Sequence, residues 1–567
     1  MKAADFAGIY DAHNSWWEER RPEMRRLRNA YLMRYWHKGR NMDENLLIET
    51  SRGYELIESY IASLFVKDPS VIIQADLRNQ GDPQVSQEVA NFWLKRTRNV
   101  FEDALRLSLI YPFSAVKLST TDNTDVLMRV QPTAVAPWDV IVDDTASSWE
   151  TQRYCAHRYY LPLDIAKKRY GNKHFAERTF TRFIDYQDKD DEVPALRRGA
   201  DSATTPDNVR FIIVVEVYDM QSDKFYVWSP DYQPDKWLYD GVKLDIGTDA
   251  EETVKFDKIP FRTASDQARI PLIPLYMSRE PDEPLRGYSA LRRVYDQIRE
   301  TNTMRTFQAQ GIRKAARQWM VEKGVLDPES MAKIAQGQDG EFIEIELSPG
   351  QALAGTIIPI PHSPVPPELQ NYANIVDDDF ARGSVIAPFT RGEATKATAT
   401  EVQALAAYTA SEIGRMARAR DEAISGTAST YLVMVSTMLG EDTELVRLAG
   451  KAVTVQSDDL NGDFAVFAQD SGTTPMSEAV KKQEFLTLIP VLQGIGVKPE
   501  KILKMLVRSF DLPEDFIETA PAPGPLAVPP SLPGQEAGAP VPPDLAVAGL
   551  NPGPARVSQV LPTGGVV

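Results

Sequence analysis

Asp139, Asp143 and Asp144 lie within one short stretch at the end of an apolar run, Trp138-Asp-Val-Ile-Val. Carboxylates grouped this way are the raw material of a divalent-metal hydrolase or nuclease. That chemistry, however, needs them brought together from separate strands, so a polar turn closing a strand is the stronger reading. Asp190-Asp191-Glu192 sits in an aperiodic stretch and reads as a solvated charge run. Asp377, Asp378 and Asp379 fall on a helical pattern, where consecutive residues point to different sides and cannot converge unaided. Cys155 and His157 share a face if their segment is extended, but have no third partner and read as core packing. The chain has one cysteine and five histidines, with no HExxH and no His-x-His. It also lacks GxxxxGK[ST], a GxGxxG after a strand and a GxSxG elbow. No cofactor, no metal and no catalytic residue is expected.

The formal charge is −17, which argues against a protein that coats DNA nonspecifically. The balance reverses locally: Arg286 to Lys323 holds nine basic and three acidic residues. Within it Arg292, Arg299, Arg313 and Arg317 fall within roughly 60° on a helical wheel. A second arginine group, Arg20, Arg21, Arg25, Arg26 and Arg28, could attract an acidic partner, although a solvated helix face is preferred. No stretch approaches 18 uninterrupted apolar residues, so no transmembrane helix is expected. The first residues lack the apolar core of a signal peptide, which predicts a soluble protein made inside the cell.

These residues must be positioned by several units, since 567 residues suggest roughly three to four domains. The spacing predicts helices over 1–36, 43–65, 84–98 and 101–111, then strands at Ala115, Val126-Leu-Met-Arg-Val and Trp138. Helix returns over 162–185, and Phe211-Ile-Ile-Val-Val-Glu-Val-Tyr is the clearest strand, continued by Phe225-Tyr-Val-Trp and Trp237-Leu-Tyr. Residues 287–317 read as one helix of about 46 Å. The segment 318–365 reads as strands around one short helix. Glu344 and Glu346 share one face of its middle strand, and Glu341 stands at that strand's start. A shorter helix returns over 367–383. Thr398-Ala-Thr-Glu401 is a capping box opening a long helix to about 439. Strands at 452–456 and 464–468 and helices at 475–493 and 498–509 complete the ordered part. The last 49 residues hold twelve of the forty prolines and read as a disordered tail.

The order from Ile270-Pro-Leu-Ile-Pro-Leu and Arg286-Gly-Tyr-Ser onward carries a resemblance. A helix goes out, a small β-rich unit turns around, a shorter helix returns, and Thr390-Arg-Gly-Glu-Ala-Thr-Lys-Ala-Thr-Ala-Thr-Glu-Val starts a long helix. This resembles the portal, or head-to-tail connector, protein of tailed bacteriophages, in its podovirus-type family, over roughly residues 1–510. The resemblance implies an α+β portal-type fold. Its wing would span 1–286, stem helix 1 287–317, the clip 318–365, stem helix 2 366–383 and the tunnel loop 384–397. A long helix with returning wing strands would follow over 398–474, then a helical crown over 475–518 and the tail over 519–567.

It further implies a non-enzymatic ring of twelve subunits at one capsid vertex of the virion, made in the host bacterial cytoplasm. Viral double-stranded DNA would pass through the channel during packaging and ejection. The implied partners are the terminase large subunit, a tail adaptor or head-completion protein, and the major capsid and scaffolding proteins, with no membrane. Arg391 and Lys396 in the tunnel loop become candidates for DNA contact or intersubunit salt bridges. The arginine stripe would pair with Asp377, Asp378 and Asp379 of a neighbouring subunit or face the DNA. Glu341, Glu344 and Glu346 could form an acidic rim for terminase or adaptor docking, or a solvated strand face. Two other readings stand beside this one: a metal-dependent hydrolase built on Asp139, Asp143 and Asp144, and an adaptor or scaffold that forms no ring.

Overall fold

A computed structural model describes residues 1–35, 47–75, 81–121, 123, 125–171, 173–180, 183, 210–246, 252–315, 319–321, 357–359, 367–384, 399–448, 451–462 and 464–469. Contacts divide the chain after Lys481, and all these residues belong to the N-terminal unit. The helices expected over 475–509 and the tail from 519 lie outside the described residues, as do the middle clip strand and the tunnel loop. The architecture is mixed helix and sheet, as the α+β reading expects.

The N-terminal helix α1 (Ala3–Tyr31) buries Phe6, Tyr10, His13, Trp17, Met24, Leu27 and Ala30, the three-and-four spacing of one apolar face. Its first turns cover a five-stranded antiparallel sheet. That sheet is ordered β4 (Val140–Val142), β5 (Tyr154–Pro162), β6 (Phe211–Asp219), β7 (Lys224–Trp228) and β8 (Tyr239–Asp240). Strand alternation gives this sheet two buried faces. Tyr154, Ala156, Ile213, Val215, Val217, Tyr226 and Trp228 meet α1, with Phe6 edge-on to Trp228 at 5.4 Å. Cys155, Ile212, Val214, Tyr218, Phe225 and Val227 face the main core.

That core also takes α2 (Arg52–Leu64), α3 (Pro83–Arg96) and α4 (Arg98–Ile110). A three-stranded sheet joins it, ordered β11 (Leu272–Leu275), β2 (Ser114–Thr120), β3 (Val130–Val135). Strand β1 (Val71–Ala75) pairs antiparallel with β16 (Phe464–Ala468), which ties the returning chain to the N-terminal body. The strands β9 (Val242–Ile246) and β10 (Glu252–Phe256) form one further hairpin, and β14 (Thr443–Leu448) and β15 (Lys451–Gln456) another. Through the middle runs a 41-residue helix, Ala399–Leu439, about 62 Å long. Its second half is buried nearly all round, and Tyr431 stacks on Trp93 at 4.2 Å. Each ring also uses its polar end: Trp93 Nε1 donates to the Val130 carbonyl and the Tyr431 hydroxyl to the Leu127 carbonyl, both at 2.9 Å.

Several expected elements differ, each for a local reason. Val126–Arg129 is a helical turn, α5, because the Asp125 carboxylate caps it by accepting from Leu127 N at 3.0 Å. The helix expected over 162–185 stops at Tyr170 (α6, Leu163–Tyr170), where Gly171 takes φ +84°. The helix expected from 43 starts at Arg52, because Thr50 spends its amide and hydroxyl on the Asn302 side chain at 2.9 and 2.8 Å.

The helix expected over 287–317 is shorter at its start: a 3-10 turn at Arg292–Val294 leads into α7 (Tyr295–Ala315), about 32 Å long. The residues before it are pinned to the end of α4. Ala290 N donates to the Leu109 carbonyl at 3.1 Å, and the Ser289 hydroxyl to Ile110 at 2.7 Å.

Candidate functional site

The feature the sequence order pointed to is a helical hairpin. α7 goes out, and α8 (Pro367–Ser384) returns. Between them β12 (Trp319–Val321) pairs antiparallel with β13 (Ile357–Pro359), Met320 opposite Ile358. The two helices run antiparallel. Val294, just before α7, meets Gly383 near the end of α8, and Tyr372 near the start of α8 donates to Glu300 at 3.2 Å. A Cβ on Gly383 would lie 2.9 Å from Val294 Cγ1, so glycine allows the close approach there.

The inner side of the hairpin is fixed to the body. Ile298, Thr301, Asn302 and Thr306 of α7 and Val376 and Phe380 of α8 are buried. The Tyr60 hydroxyl donates to the Ser384 carbonyl, and Ile48 N to the Thr306 hydroxyl. The outer side carries Phe307, 63% exposed, with Ile375 at 56% and Tyr372 at 47%. Sequence reading passed over these three. The available signal was that each falls off the inner apolar stripe of its own helix. The exposed charges are mixed on α7, with Asp296, Arg299 and Arg305, and mainly acidic on α8, with Asp377, Asp378 and Asp379 beside Arg382.

Within the chain the two described arginines of the stripe pair elsewhere than with the three aspartates. Arg292 pairs with Glu23 of α1 at 3.0 Å, and Arg299 approaches Asp296 at 3.7 Å. Asp377 pairs instead with Arg52 of α2. Nothing is described of the Arg313 side chain, and Arg317, Glu341, Glu344, Glu346, Arg391 and Lys396 lie outside the described residues.

The carboxylates Asp139, Asp143 and Asp144 do not converge on a shared centre. Arg158 holds Asp139 at 2.9 Å, Arg153 clasps Asp143 at 2.6 and 3.0 Å, and Arg286 reaches both oxygens of Asp144 at 2.7 and 2.9 Å. The bonds from Arg153 hold the Asp143 carboxyl far below the carboxylate range, while burial pushes the Asp139 carboxyl up against the pull of Arg158. Among the described residues no group of three or more His, Cys, Asp or Glu could hold a metal ion. Among them, too, no helix is long and apolar enough to cross a membrane.

Cys155 is buried in the core, and His157, two residues on, lies on the same face of β5. His157 belongs to a polar cluster the sequence did not reveal. It stands opposite Glu216 on β6, and the Lys117 ammonium from β2 lies 2.9 Å from Glu216. Burial pushes the Glu216 carboxyl up, and the ammonium outweighs it, so the group sits at about 2. The residues come from positions 117, 157 and 216, so only the pairing of distant strands brings them together.

No model of a known family matches the chain. No curated protein matches it either. Among solved structures the chain is similar to one from the neck of an empty GTA particle computed with C6 symmetry. The two are 12% identical with a TM-score of 0.37, over 81% of this chain and 90% of that one.

Proposed function

We propose that this chain is a portal-type subunit, a structural protein that forms a ring through which viral double-stranded DNA is packaged and ejected, and that it catalyses no reaction. One observation carries the reading. An antiparallel hairpin, with paired strands between its helices, leaves Phe307, Tyr372 and Ile375 exposed together with an acidic run on α8. Phe307, Tyr372 and Ile375 remain about half exposed in the single chain, and covering that remaining surface is worth about 1 kcal/mol apiece. On balance α7 is basic and α8 acidic, so α7 of one copy suits α8 of the next. A contact between two different surfaces repeats head to tail and closes into a ring when the rotation permits.

In this reading the hairpin is the stem, and residues 384–397 with Arg391 and Lys396 line the channel. The clip edge with Glu341, Glu344 and Glu346 docks the terminase and later the tail adaptor. The acidic balance of the chain suits a channel that must not bind the phosphate backbone tightly.

Phe307→Glu tests the contact. It places a charge on an already exposed position, so the fold should change by less than about 0.5 kcal/mol. Native mass spectrometry should find the variant as single subunits under conditions where the parent forms rings. A variant that assembles like the parent contradicts the stem contact.

The metal-hydrolase alternative has its own check. Magnesium or manganese at millimolar concentration should leave the melting temperature unchanged, because an arginine already occupies each of Asp139, Asp143 and Asp144. A metal-dependent rise that Asp143→Ala removes would revive that reading.

A further inference from the structure

Between the three-stranded sheet and the core face of the five-stranded sheet lies a partly enclosed cavity of about 350 Å³, at the small end of ligand-sized pockets. Its walls set a polar group among apolar side chains that include Leu118, Phe225, Leu244, Phe261 and Met434. Lys117 and Ser119 enter from alternate positions of β2, and Thr133 from β3 directly opposite Lys117. From the other sheet come His157, Tyr159, Glu216 and Tyr218, with Arg169 of α6, an exposed residue, at the rim.

Within the cluster Lys117 bonds Glu216 and the Tyr218 hydroxyl, and both tyrosine hydroxyls donate to Glu216 at 3.2 Å. A second group is left over: His157 Nδ1 is buried and has no hydrogen-bond partner. Leaving such an atom unpaired, and placing a lysine that is 3% exposed in a core, both cost stability. An apolar wall would serve folding at least as well as this ion pair. Polar residues drawn from four strands around an open volume therefore point to something that fills it.

We propose that this cavity binds a small oxyanion. The cationic groups on its wall are the Lys117 ammonium, which also pairs with Glu216, and the Arg169 guanidinium at the rim. The Ser119 and Thr133 hydroxyls and the Lys117 ammonium are donors suited to an oxyanion's oxygens. An anion of this size could be inorganic phosphate or a short carboxylate, and the chemistry of the wall is common to both.

The test is calorimetric titration of the full chain with inorganic phosphate and, separately, acetate, at constant ionic strength set with chloride. Saturable binding of one or both is expected, and the tighter of the two identifies the source. Arg169→Gln alters an exposed rim residue and should leave the fold intact while weakening binding about ten-fold. Thr133→Val removes one hydroxyl at constant shape and should weaken it about five-fold. Neither anion binding beyond the chloride control would overturn the proposal and leave the cavity to water. Binding that neither variant weakens would overturn it equally.

Discussion

Gly287→Ala is expected to be among the most destabilising single-methyl changes in this protein. A Cβ at that position would lie 1.9 Å from the Pro112 carbonyl oxygen and 3.0 Å from that of Ser278. Both obstacles are main chain, so no side chain can turn aside to make room. The neighbours cannot yield cheaply either. Tyr288 N donates to the Ser278 carbonyl at 2.9 Å, and Ser289 and Ala290 are bonded to the end of α4. The methyl must then break this junction or displace the Pro112 turn. Overpacking typically costs about 1–3 kcal/mol, and a clash with two fixed carbonyls belongs at the upper end of that range. Chemical denaturation should show the loss as a lower midpoint with an unchanged slope. Because the junction sets where the hairpin leaves the body, any folded variant should also assemble poorly. An alanine variant within about 0.5 kcal/mol of the parent would contradict the geometry.

The second large effect is acid sensitivity that begins above the carboxylate range. Burial holds the His13 and His157 rings at about 3, with Arg286 adding to the effect beside His13 and Lys117 beside His157. An imidazole in the unfolded chain titrates near 6.5. Between these values the unfolded state takes up a proton at each ring that the folded state refuses. The stability the two neutral rings contribute is therefore complete above about pH 6.5 and declines as pH falls through that value. The slope approaches about 1.4 kcal/mol per pH unit for each ring. The Glu216 carboxyl, held at about 2, adds a further loss only below about pH 4.5.

Urea unfolding between pH 7.5 and 5 should show the histidine contribution above the ordinary carboxylate range. The double variant His13→Gln, His157→Gln should lack that decline. A parent protein equally stable at pH 7.5 and 5 would contradict the burial of both rings.

Much of the architecture was legible in the sequence because local pattern and tertiary packing agree. The buried stripe of α1, the apolar run of β6 and the long central helix ending before Gly440 each follow from a local pattern that their neighbours reinforce. The order of helix, paired strands and returning helix was legible for the same reason.

What sequence did not show depends on partners far along the chain. Nothing near Val71 announces its pairing with Ala468, and nothing near Ser289 announces its bond to Ile110. Val126 reads as strand by residue type, yet one capping carboxylate at Asp125 decides for helix. The candidate site divides the same way. Positions on the hairpin helices could be read from their period. The arginines that hold Asp139, Asp143 and Asp144 come from β5, the turn before it and the approach to α7. Their pairing is a property of the fold and not of any motif.

The mass of the purified full chain in solution, by native mass spectrometry with negative-stain images of the same sample, tests the central claim most directly. The account predicts a closed ring with a central hole, about 0.76 MDa for twelve copies of the 63.4 kDa chain. A particle of one or two chains at every salt and protein concentration would contradict it and favour an adaptor that acts as a single copy.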